Sequence, residues 1–117
     1  MSFTDPQSIT VNAVAKTMPR ISSEGTRSVY QKAEEDFKMT ISHQTSRDRT
    51  RRMVRVDQRV VAVNPLDATS EYKSLGVYLV IDEPEYGFSD TDIDYLVQAL
   101  KTWASSANVL KVCGNEH

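Results

Sequence analysis

The amino-acid sequence predicts an α+β fold, with several antiparallel strands followed by one or two C-terminal helices. Up to residue 82 the chain contains runs in which apolar and polar side chains alternate, the period of a half-buried strand. After a breaker-rich loop at 82–88, apolar residues recur at the three-to-four spacing of a helix. Strands do not alternate with helices, so a parallel sheet is not expected.

The length of 117 residues fits a single domain spanning 1–117. We place N-terminal strands at about 8–32, a main antiparallel sheet at 36–82 and C-terminal helices at 89–113. A chain of this size leaves apolar area near its surface, which obligate dimerisation would cover. The segment Met1–Pro6 lacks the pattern of a secretory signal, so cytoplasmic synthesis is expected.

The N-terminal region is predicted to contain two strands. The first covers Ser8–Lys16, where apolar residues occupy alternate positions over much of the run. Turn-forming residues at 19–25 precede a second short strand at Thr26–Lys32. An N-terminal hairpin is therefore expected.

Two longer strands follow. In the first, Phe37, Met39 and Ile41 share an apolar face, and the polar stretch 45–50 serves as a connection. The second covers Arg51–Val63, with valines on one face and a basic, polar set on the other. Its alternation slips at 60–63, which indicates either a β-bulge or burial on both faces.

A loop at 64–70 leads to the last strand, Glu71–Ile81. Its apolar face carries Leu75, Val77, Leu79 and Ile81. Ser89 is then a suitable N-cap for a helix whose first turn is acidic. A second short helix is predicted at 108–112. One such helix cannot cover a wide sheet, so we expect it to pack with a partner subunit.

The sequence contains no signature of an enzyme. Phosphate-binding glycine loops, nucleophile elbows and zinc motifs are absent, and neither His43 nor His117 belongs to a catalytic pattern. We therefore expect no enzymatic activity, cofactor, metal or small-molecule substrate. The single cysteine, Cys113, is expected to be a buried or idle thiol, with an interchain disulfide as the alternative.

Charge is distributed unevenly along the chain. Residues 43–59 contain six arginines and two aspartates, a net +4, whereas residues 82–117 contain seven acids and two lysines, a net −5. If the fold puts these segments on opposite faces, one surface suits a polyanion and the other repels it.

The basic segment predicts a nucleic-acid surface. Arg51 and Arg55 alternate on a strand whose neighbour presents Lys38 and short hydrogen-bonding side chains, so cations and polar groups would share one sheet face. Such groups neutralise phosphates and contact base edges, and a tyrosine can stack an unpaired base. The alternative is a polar sheet face that is simply solvated.

Several segments resemble the coat proteins of the levivirus group of single-stranded RNA bacteriophages. The similar segments are Phe37–Gln44, Arg52–Asp57, Glu71–Ile81 and the helix Ser89–Leu100, and together they lie within residues 28–105. The resemblance rests on their joint order and on the final helix rather than on one strict motif.

This resemblance implies an N-terminal hairpin, a five-stranded antiparallel sheet and two C-terminal helices that interlock with those of a second subunit. It further implies a homodimer that assembles an icosahedral capsid, located in the virion and made in the host cytoplasm. The sheet would face the genome, the helices would face outward, and loops would contact neighbouring dimers.

The resemblance also implies functional residues. An RNA hairpin, bound for packaging and translational repression, would contact Thr40, Ser42, Gln44, Met53 and Arg55, where Met53 replaces the small polar residue usual in the family. Lys38 and Arg51 extend this face, and the stacking tyrosine is either Tyr72 or Tyr78. The dimer interface is expected to include the apolar stripe of the helix: Ile93, Leu96, Val97, Leu100 and Trp103. A competing interpretation is a small dimeric RNA- or protein-binding regulator that forms no capsid.

Overall fold

The computed structural model describes residues 3–117 and confirms the α+β fold. It contains seven strands and two helices. Their bounds are β1 Gln7–Val11, β2 Val14–Met18, β3 Arg20–Glu24, β4 Arg27–Gln31, β5 Phe37–Ser46, β6 Arg49–Val63, β7 Ser70–Pro84, α1 Asp90–Trp103 and α2 Ser106–Cys113. The chain divides into a strand unit that ends at Glu83 and a helical unit, Pro84–His117.

The strands form two sheets. β1 and β2 make a two-stranded hairpin, and the other strands form a five-stranded sheet in the order β3-β4-β5-β6-β7. Each pair from β3 to β6 is antiparallel. Two contacts indicate that β6 and β7 are antiparallel as well. Arg55 contacts Tyr78, and the later residue Arg59 contacts the earlier residue Tyr72.

The predicted single strand Ser8–Lys16 is wrong, because the chain reverses in its middle. Val11 pairs with Val14, and the two residues between them, Asn12 and Ala13, have φ values of 50° and 65°. Positive φ at both central positions is the geometry of a two-residue hairpin whose twist matches its strands. Asn12 tolerates this conformation and was the available signal, but the alternating pattern runs straight through the turn.

The central hairpin is longer than predicted. The polar residues 45–50 were expected to form a connection, yet Thr45 pairs with Thr50 and Ser46 with Arg49, leaving only residues 47–48 as the turn. Backbone hydrogen bonds extend the ladder whatever the side chains are, so polarity alone misplaces a strand end. β7 likewise extends past the predicted Ile81 to Pro84.

For residues 60–63, at the end of β6, the sequence predicted either a β-bulge or burial on both faces. Burial on both faces is wrong for the single chain, because Val60 and Val61, which point to opposite faces, are 46% and 62% exposed. The strand itself is continuous through Val63.

The core lies on one face of the five-stranded sheet. Met18, Tyr30, Phe37 and Ile41 are buried together, with partly buried apolar side chains packed around them: Ile9, Val11, Met39 and Val54. Because this cluster joins residues of β1 and β2 to residues of β4, β5 and β6, the N-terminal hairpin covers this face. The opposite face of β5 and β6 is polar and only partly covered, although Thr40 on this face is buried.

The helical unit has well-defined caps but no core of its own. The Ser89 side chain accepts from the Asp92 amide while the Asp92 carboxylate accepts from the Ser89 amide, a capping box that starts α1. Ser105 caps α2, which is longer than the predicted 108–112. Neither helix has a buried residue in the single chain. Cys113 is exposed, which excludes the buried thiol for the single chain and leaves the idle thiol and the interchain disulfide as predictions.

None of the helices within residues 3–117 is long and apolar enough to cross a membrane.

Candidate nucleic-acid interface

The pairing of β5 with β6 puts the predicted polar residues on one face. Opposite one another stand Lys38 and Asp57, Thr40 and Arg55, Ser42 and Met53, and Gln44 and Arg51. Since side chains two residues apart in a strand point to the same side, all eight project from the face opposite the core. The structure therefore brings together the β5 and β6 residues that the sequence predicted.

Strand β4 widens this face. Arg27 stands opposite Ser42, and Gln31 stands opposite Lys38. These two residues were missed by sequence reasoning, although the predicted strand at 26–32 alternates and could have indicated them. The resulting open groove has a volume of about 560 Å³ and is lined by Arg27, Gln31, Glu35, Asp36, Lys38, Thr40, Ser42, Gln44, Met53, Arg55, Asp57, Gln58, Arg59 and Ser74.

Not all six arginines of residues 43–59 are available to a ligand on this face, because some point to the other face or are paired with acids. Arg52 pairs in register with His43 on the opposite side of the sheet, where its Nη1 lies 3.1 Å from His43 Nδ1 and its Nε donates to Glu83. Arg49 donates to Asp82 from its Nε at 3.0 Å. Within residues 3–117 Arg51 makes no ion pair, which leaves its charge available to a ligand.

Two further arginines are held by acids of the same face. Arg55 Nε lies 2.9 Å from Asp57 Oδ1, and Arg59 Nη2 lies 3.5 Å from Glu35 Oε2. These carboxylates partly offset the positive charge of the groove. The groove therefore presents alternating positive and negative groups rather than a uniformly basic surface.

The two tyrosines left as alternatives for base stacking both contact these arginines. The Arg55 guanidinium carbon is 4.5 Å from the ring centre of Tyr78, and that of Arg59 is 4.3 Å from the ring centre of Tyr72. Both distances are within the range of cation–π contacts. Neither tyrosine lines the groove itself, and both remain at least half exposed.

The predicted interface residues of α1 lie along one side of the helix at three-to-four spacing. Ile93 and Val97 are partly buried, whereas Leu96, Leu100 and Trp103 are more than half exposed. An apolar stripe of this kind on a well-capped helix is typical of a surface that another element covers.

Within residues 3–117 no group of three or more His, Cys, Asp or Glu side chains is arranged to hold an ion.

Comparison with known folds yields several similar structures. The virus-like particle protein of bacteriophage AVE019 superposes with a TM-score of 0.80 at 11% identity, covering 97% of both chains. That of Beihai levi-like virus 21 gives 0.74 at 11% identity, covering 97% of this chain and 95% of the other. That of bacteriophage NT-214 gives 0.71 at 13% identity, covering 98% of both. At these identities the likeness establishes the fold.

Sequence comparison gives the family. Curated protein sequences yield no match. The family model described as phage phiCb5 coat protein matches residues 4–84, which are more than half of the chain and include the whole polar face of β4 to β6. The chain therefore belongs to the phage phiCb5 coat protein family.

Proposed function

We propose that this coat protein dimerises, assembles an icosahedral shell around an RNA genome and binds an RNA hairpin on the open face of its sheet. Binding the hairpin would direct packaging and repress translation of the bound message. The observation that carries the RNA-binding part is the register of β5 and β6, which sets Lys38, Thr40, Ser42, Arg51 and Arg55 on one face.

The chemistry of this face suits RNA. Arg51 and Lys38 can neutralise phosphates and release counterions, and the Ser42 hydroxyl can donate to or accept from base edges. Thr40 lies on the same face but is only 5% exposed, so it contacts a base only if the base enters between its neighbours. A groove of about 560 Å³ has room for an unpaired base. Cations and hydrogen-bonding groups stand within one groove, an arrangement suited to a bent or looped strand.

The dimer is supported by apolar surface that a single chain leaves exposed. On α1, Leu96 is 74% exposed, and on the core-side face of β7 Leu75 and Val77 are 62% and 64% exposed. Exposed apolar groups of this number in a small chain call for a partner. A second copy would cover these residues and Ile93, Val97, Leu100 and Trp103.

The assembly is tested by expressing the chain alone. A coat protein should elute as particles of megadalton size that contain host RNA. A stable small dimer that binds RNA without forming particles would instead support a dimeric regulator and overturn the capsid assignment.

The RNA face is tested by a pair of substitutions that each remove one positive charge. Arg55→Ala should weaken hairpin binding and reduce the slope of affinity against salt by about one counterion. Lys101→Ala, on helix α1, should change neither. Equal losses from both variants would contradict the assigned face.

A further inference from the structure

We propose that Asp57, Tyr78 and Gly76 are positioning residues that hold the Arg55 guanidinium as a fixed fork for two adjacent acceptor atoms of the RNA. This inference rests on the proposed RNA-binding function and names the group and the geometry that would recognise the ligand. It also assigns a role to a carboxylate that otherwise opposes a polyanion.

Asp57 is the unexpected feature of the face. It stands opposite Lys38 and lines the groove, yet a carboxylate repels phosphate. Its Oδ1 accepts from Arg55 Nε at 2.9 Å, and only 23% of its side chain is exposed. A half-buried, charge-assisted hydrogen bond of this length fixes the arginine more firmly than a solvent-exposed pair.

Tyr78 restrains the same guanidinium from another direction. Its ring centre is 4.5 Å from the Arg55 guanidinium carbon, within cation–π range. The ring is thus already in contact with Arg55 and is not a free platform for a base. The family resemblance implied that Arg55 contacts RNA and that Tyr72 or Tyr78 stacks on a base. In this proposal Arg55 contacts the RNA, and Tyr78 holds Arg55 instead of stacking on a base.

Gly76 provides the space for this arrangement. A Cβ atom at this position would lie 2.9 Å from Tyr78 Cε1 and 3.1 Å from Asp57 Oδ1, closer than ordinary contacts. A side chain here would push the ring or the carboxylate away from Arg55. Two side chains from two strands therefore contact one guanidinium, and Gly76 leaves the room that both need.

The atoms left free define the ligand. Asp57 occupies Nε, and among residues 3–117 the terminal nitrogens Nη1 and Nη2 have no hydrogen-bond partner. The two terminal nitrogens of a fixed guanidinium match a pair of acceptors side by side. In RNA such pairs are the O6 and N7 atoms of guanine or two oxygens of one phosphate.

The proposal is tested by whether Asp57→Ala raises or lowers the affinity for RNA. Asp57→Ala removes a negative charge from the RNA face, so electrostatics alone predicts tighter binding. If Asp57 positions Arg55, affinity falls instead, by roughly tenfold or more, because the fork is no longer held. The probe is the hairpin most enriched from a randomised-loop RNA library by the wild-type protein.

Matched variants distinguish loss of Arg55 positioning from a change of charge and from a loss of folding. Asp48→Asn removes a carboxylate from the exposed β5–β6 turn and should leave binding unchanged or slightly tighter. Arg55→Lys keeps the charge without the fork and should lose about as much affinity as Asp57→Ala. Gly76→Ala should also weaken binding. Asp57→Asn keeps an acceptor oxygen, folds most like the wild type and should retain part of the affinity.

The outcomes are distinguishable. If the wild-type protein selects no RNA, both the proposed function and this inference fail. If the wild type binds but Asp57→Ala binds equally or more tightly, or Arg55→Lys binds normally, only the positioning role is overturned. If the positioning role holds, a second set of RNA probes identifies the acceptor pair that Arg55 contacts. A loss of affinity with 7-deazaguanine would point to guanine, and a loss with a methylphosphonate at one position would point to that phosphate.

Discussion

The strand unit has a buried core within a single chain, and the helical unit does not. The strand unit buries Met18, Tyr30, Phe37 and Ile41 among its own strands. The helical unit has two capped helices and no buried residue. The first is stabilised by its own core, whereas the second has none in the single chain.

This contrast explains why the fold suits an assembling subunit. A helix of 14 residues is marginal in water unless an apolar face is covered, even with a capping box. In the proposed dimer, folding of the helical unit would be linked to association, while the strand unit would keep its polar face for a ligand. Substitutions in the two units should differ in magnitude and in their dependence on protein concentration.

The largest effect is expected in the core of the strand unit. Tyr30 is fully buried, and its hydroxyl accepts from Arg20 Nη2 at 3.0 Å. Tyr30→Ala should lower the free energy of unfolding by roughly 3–5 kcal/mol, in the range for a buried aromatic residue. Chemical denaturation should show this loss at every protein concentration.

The matched control is Tyr30→Phe, which removes only the hydroxyl. It should cost about 1 kcal/mol, because one hydrogen bond is lost while the ring still fills the core. Equal losses from both substitutions would mean that the Arg20 contact, rather than packing, stabilises this region.

A smaller, concentration-dependent effect is expected in the helical unit. Trp103 is 56% exposed in the single chain, so its removal should matter only where a partner covers it. Trp103→Ala should weaken the proposed dimer by about 2 kcal/mol, the size of an interface hot spot. Sedimentation or mass photometry across protein concentrations would measure this shift. A concentration-independent loss would place Trp103 in an intrachain core instead.

The smallest effect is expected at the loop between β6 and β7, which is held by local hydrogen bonds. Asp67 Oδ1 accepts from Thr69 Oγ1 at 2.7 Å and from the Thr69 amide at 3.1 Å, and these bonds hold the pKa of Asp67 below its ordinary 3.8. The ionised carboxylate therefore stabilises the loop above the ordinary pKa, and this stabilisation is lost as pH falls through the lower folded value. Amide exchange at Thr69 should accelerate in that acid range.

Asp67→Asn is the control, since it keeps an acceptor without a titrating group. Its exchange at Thr69 should no longer change with pH beyond the intrinsic dependence. An unchanged acid transition in this variant would assign the effect to another group.

Much of this fold was predictable from the sequence because alternation carries the information about each face. The periods of β5, β6 and β7 identified their polar and apolar sides, and Ser89 with an acidic first turn located α1. An N-terminal hairpin was predicted, but its turn was misplaced because alternation continues through Asn12 and Ala13, where backbone conformation alone marks the reversal of the chain. Strand ends at 45–50 were misplaced because ladder hydrogen bonds do not depend on side-chain polarity.

The candidate site was predictable as a set of residues but not as a network. Spacing placed Lys38, Thr40, Ser42, Arg51 and Arg55 together once β5 and β6 were taken as neighbours. It could not indicate that Arg52 pairs with Glu83 on the other face while Arg55 is held by Asp57 and Tyr78. The contacts of Arg52 with Glu83 and of Arg55 with Tyr78 depend on the register between strands, which alternation within one strand does not fix. Arg55 and Asp57 lie two residues apart on the same strand, and spacing alone does not show that they pair.

The most direct test of the account compares two adjacent arginines on opposite faces of β6. Arg51 stands opposite Gln44 on the polar face, and Arg52 stands opposite His43 on the other. Arg51→Gln and Arg52→Gln remove the same charge, and thermal melting verifies that each variant is folded. Across a salt series, Arg51→Gln should weaken RNA hairpin binding and reduce the salt slope by about one, with Arg52→Gln close to wild type. Equal losses, or a larger loss from Arg52→Gln, would contradict an RNA-binding role for this face.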